Sequence, residues 1–599
     1  MSNEETAHTK RPDPVELSRA VAGIAERSQH LVQEFLARQR ADGGAASPDP
    51  LNLAGAFFEM TAKLMTDPAK LVEAQVSLWN DYMRLWQHTA ARMLGTPEPA
   101  AIIEPAAGDR RFKDAAWQDN AVFDFIKQSY LLTARYLQKT ATGVEGLDDK
   151  TARKVEFYTR QFVDAMAPSN FLLTNPEVLR ATVDSGGENL VKGLENMLGD
   201  LERGKGRLAI RMTDMDQFEL GRNIAVTPGK IVFQNDLMQL IQYAPTTENV
   251  RRRPLLIVPP WINKFYILDL RAKNSFIRWA VGQGHTVFVI SWVNPDETLA
   301  AKGFDDYMVE GPLAAIDAIG QATGEHEVNV IGYCIGGTLL AVTLAYMAER
   351  RDRRIASATY FTTMVDFTEA GELGVFIDEE QIRALEAKMA EHGVLDGADM
   401  ATTFNLLRAN DLIWSFVVNN YLLGKEPFPF DLLYWNADAT SMPGAMHSYY
   451  LRNMYQENRL VRPGGITIRD VPIDLSLIET PSFILATKED HIAPWRSSYA
   501  ATHLYRGKTT FCLAGSGHIA GVINPPEARK YAHWTNSKLP ERPEDWLEGA
   551  KQVEGSWWTT WDRWVQKFAG GKLPAREPGS GTLPAIEDAP GSYVRRRTG

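Results

Sequence analysis

"VIGYCIGGTLL", residues 330–340, is the stretch on which the fold turns. Residues 328–331 are β-branched apart from Asn329, as a buried strand favours. After Cys334 an apolar helix begins. Gly332 and Gly336 flank the cysteine, and Gly337 and Thr338 follow. Strand, Gly-x-Cys-x-Gly and helix together predict a tight turn whose central residue is held in a strained backbone conformation. Such a turn lifts a nucleophile above a sheet and aims the N-terminus of the next helix at it. The helix dipole favours a thiolate there. The amide of Ile335 is placed to donate to a developing oxyanion. The plainer alternative is a buried cysteine at a strand end beside ordinary turn glycines.

A nucleophile on such a turn predicts an order along the chain: nucleophile, acid, histidine. "FILATKEDHIAPW" carries Asp490 just past an apolar strand, and "FCLAGSGHIAG" puts His518 in a loop at the end of the next. Both fall at strand C-terminal ends, where α/β sheets hold their sites. A neutral His518 takes the thiol proton and Asp490 fixes its tautomer. His491 is a rival base; a structural or supporting role suits it better. The second oxyanion donor is expected from the loop "LLIVPPWINKFYILDL", at the amide of Ile262 or Trp261. Asp269, in the same segment, is expected to bond to loop backbone. Cys512 reads as a small apolar residue inside a core strand.

The wider chain supports an α/β class. Its 599 residues exceed one ordinary core. Two cysteines cannot staple that length, so a reducing compartment is expected. The formal charge of -11 argues against nucleic acid as a main partner. No metal-ligand spacing and no phosphate-binding loop stand out. The polar N-terminus lacks a signal-peptide pattern, and no run of about 18 apolar residues predicts a transmembrane helix. A cytoplasmic protein is expected.

Residues 1–50 are polar and end in the linker-like "DGGAASPDP"; disorder is expected there. Residues 51–221 read as an all-helical domain. Val72, Val76, Trp79, Met83 and Trp86, spaced by four and three, form one apolar stripe, which Leu78, Tyr82 and Leu85 widen on one side. From residue 222 to 599, "IVFQND", "LLIVPP", "TVFVISW", "VNVIGYC", "PSFILATKED" and "TTFCLAGSGH" predict a mostly parallel sheet with helices between strands. An aromatic-rich stretch at about 367–471 is too long for a loop and predicts a cap inserted into this domain. A Pro/Gly-rich tail starts near residue 570.

These residues resemble the polyhydroxyalkanoate synthases. "GYCIGG" is similar to that family's cysteine-containing box, in the form found in the single-subunit, short-chain class I type. "PPWINKFYILDL", "GHTVFVISWVNPD", "DLLYWNADATSMPGAMHSYYLRNMYQEN", "KEDHIAPW", "GSGHIAGVINPP", "GDRRFKDAAW", "PSNFLLTNPEV" and "APGSYV" resemble further family segments. The resemblance implies an α/β-hydrolase-like catalytic domain with a mobile cap, preceded by a helical domain. It implies Cys334 as nucleophile, Asp490 as acid and His518 as base, with Trp435 and Tyr450 near the site. His447 and Ser448 depart from the commonest residues at their positions. The implied substrate is an (R)-3-hydroxyacyl-CoA, 3-hydroxybutyryl-CoA above all, polymerised into a polyester with release of coenzyme A and no cofactor. The resemblance further implies a homodimer on the surface of polyester granules, beside granule-associated proteins. A cysteine-dependent hydrolase, either a thioesterase or an intracellular depolymerase, shares fold and triad and stays open. So does an inclusion-coat protein whose helices merely adsorb to polymer, for which the triad would be an accident.

Overall fold

The computed structural model describes residues 53–65, 68–95 and 100–597, so the polar segment 1–50 lies outside the described residues. Contacts divide the chain into two compact units. One runs to Asp214 and includes Phe404–Phe428; the other is Met215–Thr403 with Pro429–Gly599.

The first unit is helical. Its longer helices include Pro68–Met93, Ala121–Thr142, Asp149–Ala165 and Glu188–Arg203. Asn120 and Asp148 start two of them by accepting the first free amides. Asp124 is buried, and the ammonium of Lys127, at 3.0 Å, and the guanidinium of Arg92, at 2.8 Å, neutralise it. Helix Glu188–Arg203 meets segment Val417–Leu422 so closely that a Cβ on Gly193 would lie 1.8 Å from the Tyr421 carbonyl. The Tyr421 hydroxyl also donates to Asp200 at 2.6 Å. The stretch 367–471, expected as one cap, is therefore divided, and its middle belongs with the helices. The apolar stripe is a second surprise. Val72, Val76, Trp79, Met83 and Trp86 are 42–67% exposed. The helix buries the side on which Leu85 widens the stripe, and beyond it His88 and Thr89.

The second unit is built on an eleven-stranded sheet. In chain order its strands are β1 (Gly229–Gln234), β2 (Met238–Tyr243), β3 (Leu255–Val258), β4 (Val287–Trp292), β5 (Val328–Tyr333), β6 (Ile355–Phe361), β7 (Ser482–Thr487), β8 (Thr509–Ala514), β9 (Ala532–Thr535), β10 (Lys551–Glu554) and β11 (Glu587–Asp588). Their spatial order is β10-β9-β8-β7-β6-β5-β3-β4-β2-β1-β11. The six strands from β8 to β4 in that order are parallel neighbours. The flanking strands pair antiparallel. Every residue of β3, β4, β5 and β7 is buried, as expected where helices cover both faces. This is the mostly parallel sheet that the strand pattern predicts, in the α/β-hydrolase-like arrangement that the resemblance implies.

The Pro/Gly-rich tail is a strap. Lys572–Pro574 pairs with Asn249–Arg251. Strand β11 then pairs with the edge of β1. Beyond it, the buried ammonium of Lys264 donates to the carbonyls of Val594, at 2.8 Å, and Arg596, at 2.5 Å.

Candidate active site

The site is assembled at the C-terminal ends of β5, β7 and β8. Strand β5 ends at Tyr333, and helix Ile335–Glu349 starts one residue later. Cys334 bridges them at φ 53°, ψ −123°, a backbone conformation that side chains other than glycine rarely adopt. The turn is closed by hydrogen bonds from the Cys334 amide to Phe361 O, 2.8 Å, and from the Gly337 amide to Cys334 O, 2.9 Å. Close packing explains the glycines. A Cβ on Gly332 would lie 2.5 Å from Gly337 Cα, and one on Gly337 would lie 1.9 Å from Thr363 Oγ1. A Cβ on Gly336 would lie 2.3 Å from Val258 O. That last contact presses the end of β3 and its following loop against the first turn of the helix.

Asp490 follows β7. One carboxylate oxygen accepts the amides of Ile492, at 2.9 Å, and Ala493, at 2.8 Å. The other takes Thr487 Oγ1 at 3.2 Å and His518 Nδ1 at 2.7 Å. His518 follows β8, beyond Ser516 at φ 78°. With Nδ1 committed to Asp490, Nε2 remains for Cys334, which interacts electrostatically with the imidazole. Burial alone would lower the pKa of His518. Asp490 and Cys334 outweigh it and carry the imidazole up to about 10. Tyr333 supports the histidine from below, its ring stacked at 5.9 Å and its hydroxyl donating to His518 O at 3.3 Å. The sequence pattern thus names three residues that the fold brings together.

The other candidates separate. Ile335 opens the helix behind Cys334. Trp261 is buried among Trp292, Phe304 and Tyr307, so its side chain packs in the core. Ile262 is partly buried against the same core. Pro259 and Pro260 carry no amide hydrogen, which leaves Trp261 and Ile262 as the first donors after β3. Their loop is pinned by Thr440 Oγ1 to Trp261 O, 2.7 Å, and by Trp435 Nε1 to Lys264 O, 2.7 Å. Trp435 is therefore a buried brace for the loop. His491 offers its backbone carbonyl to the Glu372 amide at 2.9 Å. Asp269 is buried and accepts from Thr227 and Ser275 side chains at 2.5 and 2.6 Å. It also accepts the Thr227 amide, at 3.2 Å. Cys512 is fully buried in β8, and burial pushes its thiol far up.

Tyr450 is buried against Phe367 and Tyr455, with ring centroids at 6.1 and 5.6 Å. Burial above all, then the charges of Tyr455 and Cys334, raise its phenol pKa. Tyr455 interacts with Tyr450 and also feels Cys334 and Asp490. Tyr455 lies in the aromatic-rich stretch, where the sequence alone gives it no role. Its spacing from Tyr450, five residues, is wrong for an α-helical face. The turn Leu451–Gln456 is widened to a π-helix, which brings position i+5 back to the same side. His447, one of the departures noted above, is fully buried in the cap, and burial lowers its pKa to about 4. Ser448 bonds to Glu386, which also pairs with Arg452.

Among the described residues no group of three or more His, Cys, Asp or Glu side chains is placed to hold a metal. Nor is any described helix long and apolar enough to cross a membrane.

Two family models match the chain. The N-terminal model of poly-beta-hydroxybutyrate polymerase (PhaC) covers residues 108–280, and the alpha/beta hydrolase fold covers 256–525. A poly(3-hydroxyalkanoate) polymerase of Methylorubrum extorquens is 51% identical, with 99% of each chain covered. A poly(3-hydroxyalkanoate) polymerase subunit PhaC of Rhizobium meliloti is 49% identical over 98% of this chain and 96% of its own. Another, from Cupriavidus necator, is 46% identical over 88% of this chain and 89% of its own.

Proposed function

The chain belongs to the poly(3-hydroxyalkanoate) polymerase family, and from that premise we propose that it polymerises (R)-3-hydroxyacyl-CoA through a covalent thioester on Cys334. The observation that carries this reading is the hydrogen bond between Asp490 and His518, with Cys334 acting on the same imidazole from the apex of the strained turn.

The steps follow from the residues. His518, made basic by Asp490, takes the thiol proton of Cys334. The thiolate attacks the thioester carbonyl carbon, and the amide of Ile335, with that of Ile262 or Trp261, receives the oxyanion. The carbon–sulfur bond to coenzyme A breaks, and the leaving thiolate takes the proton from His518. Cys334 now holds the acyl group. The 3-hydroxyl of another acyl unit then loses its proton to His518 and attacks the Cys334 thioester. An ester bond forms, the bond to Cys334 breaks, and the cysteine recovers the proton.

Cysteine suits this cycle. Exchange of one thioester for another keeps the acyl group activated, whereas a serine would trap it as a less reactive oxygen ester. Water competes with the acceptor hydroxyl. The buried aromatic surroundings of Tyr450, Tyr455 and Phe367 favour its exclusion. The chemistry needs no cofactor, since coenzyme A arrives with the substrate. Family membership further supports a short acyl chain such as 3-hydroxybutyryl, a homodimer, and a place on the surface of cytoplasmic polyester inclusions with granule-associated proteins nearby.

The test is to mix the protein with 3-hydroxybutyryl-CoA and follow released thiol and turbidity together. Polymerisation gives both. A hydrolase gives thiol and free 3-hydroxybutyrate with a clear solution, and a coat protein gives neither.

A further inference from the structure

Residues 362–371 connect β6 to the short helix Glu372–Phe376 and form no strand or helix of their own. Their contacts run through both ends of the site. At the start, Thr363 Oγ1 donates to Cys334 O at 3.3 Å. Thr338 Oγ1, in the helix behind the cysteine, donates to Met364 O at 2.7 Å. At the end, Ser497 Oγ donates to Glu369 O at 2.7 Å, and the Glu372 amide donates to His491 O at 2.9 Å. Gly371 stands at φ 65°, and a Cβ on it would lie 2.6 Å from that same carbonyl. His491 directly follows Asp490. The loop thus begins on the turn of the nucleophile and ends on the turn of the acid.

Its middle is fastened to the cap by one side chain. Asn458 Nδ2 donates to Asp366 Oδ1 at 2.8 Å and to Thr368 Oγ1 at 3.0 Å. Asn458 Oδ1 accepts the Phe367 amide at 2.9 Å. Asp366 Oδ1 also takes the amide and the hydroxyl of Thr368, at 2.9 and 2.7 Å, so the loop meets the asparagine as a formed turn. Between these contacts the Phe367 ring packs on Tyr455 and Tyr450, at 5.0 and 6.1 Å. Asn458 itself stands at φ 45°, two residues past the π-helical turn Leu451–Gln456. Asparagine is one of the few residues with a side chain that accept this conformation. The bonds it makes lie near the surface, so each is modest and local motion can undo them.

Given an acyl thioester on Cys334, as read above, we propose that Asn458 is a positioning residue of this site. Through Asp366, Phe367 and Thr368 it holds the loop after β6 against the cap, and so screens the thioester from water. Water that reaches the thioester adds its oxygen to the acyl carbon. The bond to Cys334 breaks, one proton passes to the sulfur, and the free acid leaves.

The experiment uses the full chain with Asn458→Gly. Glycine adopts φ 45° without strain, so the substitution removes the side-chain bonds and spares the backbone. One reading is the alkylation rate of Cys334 by iodoacetamide, from peptide mass mapping with the fully buried Cys512 as internal reference. The other is the share of coenzyme A released from 3-hydroxybutyryl-CoA that is matched by free 3-hydroxybutyrate. Alkylation is expected to rise at least about tenfold, because the closed form loses several modest hydrogen bonds at once. The hydrolytic share is expected to rise at least about fivefold, as water reaches a thioester otherwise screened. Glu457→Gln, in a surface pair with Arg459, is expected to match the parent in both. Thr368→Val removes one hydroxyl of the fastening and keeps the side-chain shape. It is expected to move both readings the same way by less, and it decides the matter if Asn458→Gly does not fold. Parent-like alkylation overturns the inference, and so does faster alkylation with an unchanged hydrolytic share in a polymerising parent. A parent that makes free acid and no polymer overturns the polymerase reading instead, and the alkylation rates then decide the role of Asn458 alone.

Discussion

His518 Nδ1 lies 2.7 Å from one oxygen of Asp490, while two backbone amides hold the other oxygen. The carboxylate is thus fixed before it meets the imidazole, and one oxygen is left to act on the histidine. The same imidazole is raised to about 10 with Asp490 and Cys334 as the favourable causes. A base set in this way serves two proton transfers of unequal difficulty. A thiol gives up its proton far more readily than a 3-hydroxyl.

Asp490→Asn should therefore separate the two steps. The amide side chain keeps the Ile492 and Ala493 contacts but weakens the imidazole as a base. The variant is expected to load acyl groups on Cys334 and to extend them slowly, whereas His518→Gln is poor at both. Intact-protein mass spectrometry after brief mixing with 3-hydroxybutyryl-CoA reads loading, and turbidity reads extension. Normal loading by His518→Gln with none by Asp490→Asn would reverse the roles.

The two cysteines should differ as their burial does. Cys334→Ala removes the proposed nucleophile and is expected to cut coenzyme A release to below about a hundredth of the parent, since loss of a covalent nucleophile costs several powers of ten. Cys512→Ala trims one atom from a core strand, and activity should stay within about twofold, with a stability loss of about 1 kcal/mol. Thiol release and thermal melting of both variants check this. A comparable activity loss at Cys512 would mean that β8 carries chemistry.

Much of this site was legible because its parts are local. The strand ends, the glycines at 332, 336 and 337, and the order of Cys334, Asp490 and His518 are all properties of short stretches. What stayed hidden depends on long-range packing. Strand β2 reads "MQLIQY", and its buried Gln239 and Gln242 break the apolar run. Gln239 is satisfied by Gln234, Ser592 and the Tyr593 amide, partners that include a strap more than 350 residues away. Asn420, in the aromatic stretch, donates to Arg211 O at 2.9 Å, and nothing local says that this segment joins the helical unit. The stripe of Val72 to Trp86 was plain as a pattern. Only the structure shows that the helix buries the flank with Leu85 and leaves the stripe's centre exposed.

Tyr455 is the residue to probe beside Tyr450. The two phenols interact, and both feel the charge on Cys334. Tyr455→Phe removes the hydroxyl and keeps the ring packed on Phe367, at 5.0 Å. Melting temperature should fall little, by the equivalent of about 1 kcal/mol, the scale of one polar interaction. Turnover should fall about tenfold or more if the phenol pair orders the acyl group or acceptor, the usual scale for a lost positioning contact. Steady-state thiol release with a parallel melt separates the two effects. An unchanged turnover would make the pair purely structural.

The last prediction concerns pH and lies at Asp269, in the segment that follows β3. Burial pushes this carboxyl up to about 6, although Ser275 and Thr227 donate to it. An unfolded aspartate titrates near 3.9, so the folded state holds the proton more tightly. The sign then follows. The folded protein binds more protons between these values, so the stability this group contributes is fully present below about 3.9 and is lost as pH rises through about 6. Asp269→Asn keeps one acceptor oxygen and cannot titrate. It places an amide hydrogen against a donor from Thr227, and that cost is the same at every pH. The melting temperature of the parent minus that of Asp269→Asn should therefore be larger at pH 4.5 than at pH 7.5. Taking the difference cancels the other titrating groups, which the two proteins share. A difference that stays flat, or grows toward pH 7.5, would mean that the hydrogen bonds to Asp269 outweigh its burial.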